Sequence, residues 1–118
     1  IKILKKLYFC FMDDLEEKWK KALLKVEKQF GDKISLKGIL YLIGLQELNL
    51  VTKDFNRDEK INVLHVATCR LLSVFGYYRF DFIDKDGWPH YEELKPLQNL
   101  SDKDQLNLIK EAIIKYLD

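Results

Sequence analysis

The chain has 118 residues, of which 47% are apolar and 33% are charged, and its formal net charge is +1. This length gives one domain with one core, and the apolar fraction is too high for a disordered chain. Because the charges nearly balance and no apolar run reaches roughly 18 residues, we expect neither a nucleic-acid partner nor a membrane partner. The two cysteines, Cys10 and Cys69, are too few for a disulfide framework, so the sequence predicts a cytoplasmic protein.

Residues 1–11 read IKILKKLYFCF and admit two interpretations. In the first, they are an N-terminal extension from a misplaced start codon, because Met12 is the only methionine and Asp13 after it is a good N-cap. In the second, they lengthen the first helix, because an apolar stripe continues upstream. That stripe comprises Leu4, Tyr8, Phe11, Leu15 and Trp19. In both interpretations residues 12–118 form a single helical domain.

The spacing of apolar residues predicts four helices. The first covers 14–30, and the second begins after the N-cap Ser35. The third begins after the N-cap Asn56, with Glu59 as its capping partner, and ends at Gly76. The fourth covers 102–117 after the N-cap Ser101. The second and third are apolar nearly all round and should be central, whereas the outer two bury one face each. Those two faces include Phe30 and Leu106. Gly38 and Gly44 in the second helix indicate close approach of a neighbouring element.

Residues 77–99 are rich in aromatic side chains and form either an aromatic loop or a small β-hairpin. Alternating Tyr78, Phe80 and Phe82 favour a strand that pairs with residues 88–91 across an Asp86-Gly87 turn. We expect Trp88 to anchor this segment near the end of the third helix at Gly76. The predicted fold class is therefore all-α, a four-helix bundle-like domain with two central helices and this insertion before the last helix.

Part of the insertion matches the spacing of an EF-hand calcium loop. Asp84, Asp86, Gly87 and Glu93 fall at the third, fifth, sixth and twelfth positions, but the first and eighth are Phe82 and Pro89. The missing first carboxylate favours a simple Asp-Gly turn followed by a Trp-Pro pair that packs on the helices.

Two other groups carry metal-ligating or catalytic side chains. His65 and Cys69 are four residues apart on one helical face, which suits a shared metal or a polar stripe at the rim of the core. His90 beside Glu92 and Glu93 offers acid–base groups, but spacing alone gives no pocket. We therefore expect no metal, no cofactor and no catalytic residue.

The stretch from Leu36 to Leu94, about half of the chain, resembles small bacterial proteins that carry an Asp-Gly-Trp-Pro-His segment. The resemblance is clearest in GYYRFDFIDKDGWPHY, residues 76–91. That group has no assigned activity, so the resemblance implies no catalytic residue and no ligand.

These patterns indicate a non-enzymatic protein-interaction or regulatory module, since an aromatic and acidic segment of this length exceeds a simple connection. The predicted contact residues are Tyr77, Tyr78, Trp88, His90 and Tyr91, and the partner is another protein or a second copy. The alternative is a small metal- or ligand-binding protein that uses Asp84, Asp86, His90 and Glu93.

Overall fold

Four α-helices and one β-hairpin make up the fold in a computed structural model, which describes residues 2–49 and 54–118. The helices are α1 (Lys2–Phe30), α2 (Leu36–Leu48), α3 (Arg57–Ser73) and α4 (Asp102–Leu117). Between α3 and α4 lie strands β1 (Tyr78–Ile83) and β2 (Pro89–Glu93) and a short 3-10 helix, Leu97–Asn99. The assignment to the all-α class is therefore wrong. Residues 77–93 form an antiparallel two-stranded sheet, which makes this a mixed fold dominated by helices.

Helix α1 begins at Lys2 rather than at residue 14, in agreement with the interpretation in which residues 1–11 lengthen the first helix. It includes Asp13, which therefore lies inside the helix and is not its N-cap. No glycine or proline interrupts residues 2–30, and the leucines and lysines upstream of Asp13 have good helix propensity. Ile3 and Leu4 are 74% and 70% exposed, whereas the side chains of Tyr8 and Phe11, which the predicted stripe includes, lie outside the described residues.

The other three helices begin at the predicted N-caps. The side-chain oxygens of Ser35, Asn56 and Ser101 accept hydrogen bonds from the backbone N–H three residues later, at 3.1, 2.9 and 3.1 Å. At Asn56 the Glu59 side chain completes a capping box, since it accepts from the Asn56 N–H at 3.0 Å. Short-range chemistry thus fixes where these helices start.

Helix α3 ends at Ser73, and Gly76 just beyond it adopts the left-handed conformation predicted for the residue that terminates the helix, with a φ of +80°. The Tyr77 N–H donates to the Leu72 carbonyl and the Gly76 N–H donates to the Ser73 carbonyl, each at 3.2 Å. These two bonds form a Schellman motif with glycine at the left-handed position. The motif turns the chain directly into β1.

Helix α3 occupies the centre of the fold. It contacts α2, α4 and both strands, whereas α1 packs on α4. The central position thus belongs to α3 rather than to a pair of helices. The core takes residues from all four helices, among them Trp19, Ile43, Leu71 and Ile113.

Two side chains that the periodicity placed inside lie outside. Phe30 is 55% exposed and Leu106 is 40% exposed, because each sits near an end of its helix, beyond the packed region. Among the described residues, no helix combines the length and apolar character that crossing a membrane would need.

The close approach predicted from glycine occurs at Gly44. A Cβ atom there would lie 2.3 Å from the carbonyl oxygen of Val63 and 2.6 Å from its Cγ1, so α2 rests on α3 at this point. Gly38 is different, since its nearest neighbour is the Ile34 side chain at 3.0 Å, just outside the N-terminus of the same helix. Of these two glycines, only Gly44 is required by the contact between helices.

Candidate functional site

The β-hairpin carries most of the residues that the sequence singled out. Tyr78 pairs with Glu93 at one end and Ile83 pairs with Pro89 at the other, with a bulge between Phe80 and Phe82. The bulge interrupts strict alternation, so Phe82 shares a face with His90 and not with Phe80 and Tyr91.

An Asp-Gly turn closes the hairpin. The Oδ1 atom of Asp84 accepts hydrogen bonds from the N–H groups of Asp86 and Trp88, at 2.9 and 3.0 Å, and Gly87 has a φ of +89°. This confirms the turn that the sequence favoured over a calcium loop. The Oδ1 atom of Asp84 thus serves the turn itself.

The four residues of the metal-binding alternative do not converge. Asp84 and Asp86 lie in the turn, whereas Glu93 pairs with Tyr78 at the opposite end of the hairpin. In the part of the chain that the structure describes, no group of three or more His, Cys, Asp or Glu side chains is arranged to hold a metal ion. The sequence here matches the spacing of an EF-hand loop, but the side chains do not converge as the ligands of such a loop do.

His90 and Asp84 form a pair at the mouth of the turn. The His90 Nε2 atom lies 2.8 Å from Asp84 Oδ2, and because an ionised carboxylate only accepts, the imidazole donates from Nε2. The imidazole also stacks on Phe82, with ring centroids 4.6 Å apart and planes 6° apart. The bonds to His90 and to the Trp88 N–H lower the pKa of Asp84, so its carboxylate is ionised at neutral pH.

His65 and Cys69 lie together on α3, with Nε2 and Sγ 3.5 Å apart. His65 is exposed and Cys69 is buried, so the pair sits at the rim of the core, in agreement with the polar-stripe interpretation. Burial raises the pKa of the Cys69 thiol to about 11, and the nearby Glu93 charge adds to the shift. The thiol is therefore protonated at neutral pH and is a poor nucleophile.

A cavity of about 280 Å³ between α3 and the hairpin brings these two groups together. Its polar wall comprises Asn62, His65 and Cys69 from α3 and Asp84 and His90 from the hairpin. Trp88 and Tyr91 supply its aromatic wall. Sequence reasoning treated the two groups separately. The α3 residues do share one helical stripe, but nothing local to them shows that the hairpin folds over that stripe.

The predicted contact residues are less exposed than expected. Tyr77, Tyr78, Trp88 and Tyr91 are half-buried, and His90 is exposed. The exposed apolar side chains of the hairpin are instead Phe80, Phe82 and Ile83, at 51%, 50% and 62%.

Trp88 lies at the other end of α3 from the one predicted. Its indole packs against the buried Phe55, with centroids 5.8 Å apart, just before α3 begins. The antiparallel pairing explains this position, because β1 leaves Gly76 and carries the turn away from it.

A second polar group, which sequence reasoning missed, joins α2, α3 and α4. Glu47 accepts a hydrogen bond from the Tyr116 hydroxyl at 2.8 Å and pairs with Arg70 Nε at 3.2 Å. The Arg70 guanidinium also lies 5.5 Å from the centre of the Tyr116 ring. The residues are far apart in sequence, so no spacing pattern predicts the contact.

Comparison of the chain with models of known protein families, with curated proteins and with solved structures gives no match. The resemblance carried by the Asp-Gly-Trp-Pro-His segment stays a prediction.

Proposed function

We propose that this domain binds a partner polypeptide through the exposed apolar side chains of its hairpin. The observation that carries the proposal is the exposure of three apolar side chains on β1: Phe80, Phe82 and Ile83. Phe80 and Ile83 pair with Tyr91 and Pro89 and so share one face of the sheet, whereas Phe82 pairs with His90 and lies on the other face. Apolar side chains exposed close together are typical of interaction sites, and single exposed residues are not. The interaction surface is defined as these three residues.

The edge of the sheet supports the same proposal. The hairpin has two strands, so each strand keeps an outer edge that pairs with no other strand among residues 2–49 and 54–118. An extended peptide that adds to such an edge gains main-chain hydrogen bonds, and alternate side chains give it specificity. Arg79 and Glu92 form an ion pair across the hairpin, which supplies a polar rim to the interaction surface.

We place the partner and the domain in the cytoplasm, as the low cysteine content indicates. The proposed partner is a separate protein that offers an extended apolar segment. Association with a second copy is a competing outcome, which the measurement below distinguishes.

The test is selection of a displayed library of random peptides on the wild-type domain. Bound peptides are then measured against Phe80→Ser, Ile83→Ser and Leu24→Ser, where Leu24 is 65% exposed on α1 and serves as the matched control. We expect peptides whose affinity falls at least about tenfold in both hairpin variants and is unchanged in the control, which corresponds to about 1.4 kcal/mol of binding free energy. Peptides that bind all variants equally, or an empty selection, would contradict the proposal.

Sedimentation of the wild type and of Ile83→Ser over a range of concentrations identifies self-association. A wild-type dimer that Ile83→Ser abolishes would show that a second copy occupies the interaction surface. Circular dichroism of each variant checks that the helices are intact.

A further inference from the structure

The rings that line the cavity between α3 and the hairpin each contact a second ring. Each of them packs against a phenylalanine outside the lining: Trp88 on Phe55, His90 on Phe82 and Tyr91 on Phe80, with centroids 5.8, 4.6 and 5.8 Å apart. Side chains fixed in this way lose little freedom when a ligand enters. The aromatic wall is therefore preorganised.

The Asp84 carboxylate keeps room for one more hydrogen bond. It accepts from the N–H groups of Asp86 and Trp88 through Oδ1 and from His90 through Oδ2. A carboxylate has about four acceptor positions, so one position on Oδ2 is left for a ligand. Its side chain is 29% exposed, which leaves this position accessible from the cavity.

Asp84 is the acidic residue of the cavity lining, and the hairpin side around it carries more acidic than basic residues. Residues 77–93 contain five acidic and two basic side chains. The charge of Glu93 also helps to raise the pKa of Cys69 and of Tyr78, after burial, so the negative field reaches the α3 side of the cavity. An anion would be repelled here, whereas a cation gains from both the field and the ring faces.

We propose that this cavity binds the head group of an organic cation of the guanidinium or alkylammonium class. The cation donates a hydrogen bond to Asp84 and lies against the faces of Trp88 and Tyr91, where the ring quadrupole attracts positive charge. A volume of about 280 Å³ is small for a drug-sized ligand and suits one such head group. The head group belongs either to a free amine or to an Arg or Lys side chain of a polypeptide. The inference does not require that a peptide binds the interaction surface.

The test is a titration of the nitrogen-15-labelled protein with ethylguanidinium, followed by NMR. Ethylurea, which has nearly the same shape and no charge, is the matched ligand control. We expect a saturable shift of the Trp88 indole N–H signal with ethylguanidinium and none with ethylurea. The indole of Trp19, which is buried in the core, should stay unchanged in both titrations. Equal shifts with the two ligands, or no saturable shift, would overturn the proposal.

Two variants distinguish a direct contact with Asp84 from the effect of the negative charge of the turn. Asp84→Asn and Asp86→Asn each remove one negative charge from the same turn, but only Asp84 lines the cavity. We expect Asp84→Asn to weaken ethylguanidinium binding at least about tenfold and Asp86→Asn to change it less than about threefold. Equal losses would overturn the assignment of Asp84 as the contact.

Because Asp84→Asn also weakens the turn, Tyr91→Leu provides a second measurement that leaves every charge in place. We expect it to weaken binding several-fold through loss of the ring face, and an unchanged affinity would contradict the aromatic contact. Signals of the β1–β2 backbone report whether each variant keeps the hairpin.

A second ligand identifies the source of the cation, and a further variant separates the cavity from the interaction surface. A blocked Gly-Arg-Gly peptide that binds more tightly than ethylguanidinium would identify a polypeptide side chain, and equal binding would identify a free amine; both results support the cation site. Ile83→Ser should leave ethylguanidinium binding unchanged, since Ile83 is not part of the cavity lining. Failure of this proposal is therefore distinguishable from failure of the interaction surface.

Discussion

The closest backbone contact between helices gives the sharpest prediction about stability. Replacing Gly44 with alanine places a methyl group 2.3 Å from the Val63 carbonyl oxygen, about 1 Å inside ordinary contact. Alanine gains about 1 kcal/mol of helix propensity over glycine. Overpacking costs about 1–3 kcal/mol, and the upper end applies here because the obstacle is backbone that moves only with the whole of α3. We expect a net loss of about 2 kcal/mol in the free energy of unfolding.

Gly38→Ala is the matched control, because it makes the same change in the same helix. Its nearest neighbour is the Cγ2 methyl of Ile34 at 3.0 Å, which needs to give way by only a few tenths of an ångström. The control should therefore lie within about 0.5 kcal/mol of wild type or above it. Urea unfolding followed by circular dichroism measures both, and the 2 kcal/mol loss should also lower the melting temperature by roughly 6–10 °C. A Gly44→Ala protein as stable as wild type would refute the packing argument.

Three further predictions concern single side chains. Trp88→Ala should cost about 2 kcal/mol in a melting series, less than a fully buried tryptophan, because the indole is half-buried; a neutral result would mean that it does not anchor the hairpin. Burial and the bond to Glu47 raise the pKa of Tyr116 to about 12 from 10.0, so the hydroxyl ionises at a lower pH in the unfolded state than in the folded state. The stability that this hydroxyl contributes is therefore present below pH 10 and is lost between pH 10 and 12. Tyr116→Phe should be about 1 kcal/mol less stable at neutral pH and should show a smaller loss over that alkaline range, and identical alkaline titrations would contradict this. In a Cys10→Ser background, Cys69 should react with a thiol reagent about a hundredfold more slowly than a thiol of pKa 9.0, and fast labelling of the native protein would contradict its protonated state.

Features set by short stretches of chain were predictable from the sequence. The N-caps at Ser35, Asn56 and Ser101 depend on groups within three residues, and Gly76 depends on a backbone conformation that glycine adopts without strain. The close helix contact at Gly44 could also be predicted, because a glycine in the middle of an apolar helix costs stability unless another element requires the space.

Features that depend on distant residues were not predictable. The bulge between Phe80 and Phe82 breaks the two-residue period, so Phe82 lies on the opposite face of the sheet from Phe80, although the alternation in the sequence places them together. The cavity needs the hairpin to fold over the stripe that holds His65 and Cys69, and no spacing within either segment specifies that. The fold class was wrong for a related reason: a two-stranded hairpin is marginal alone and is stable here because it packs on α3.

The order in which the elements pack has a consequence for how the protein opens. The first and last helices pack on each other, and the contact of Lys110 with Glu16 spans 94 residues, the longest loop that folding must close among these hydrogen bonds. In contrast, α2, α3 and the hairpin follow one another along the chain and contact in that order. Local fluctuations cost least where an element has few contacts, so we expect α1, which packs mainly on α4, to detach before the other elements. The cavity and the interaction surface lie within the contiguous part, and we expect them to keep their shape when α1 detaches.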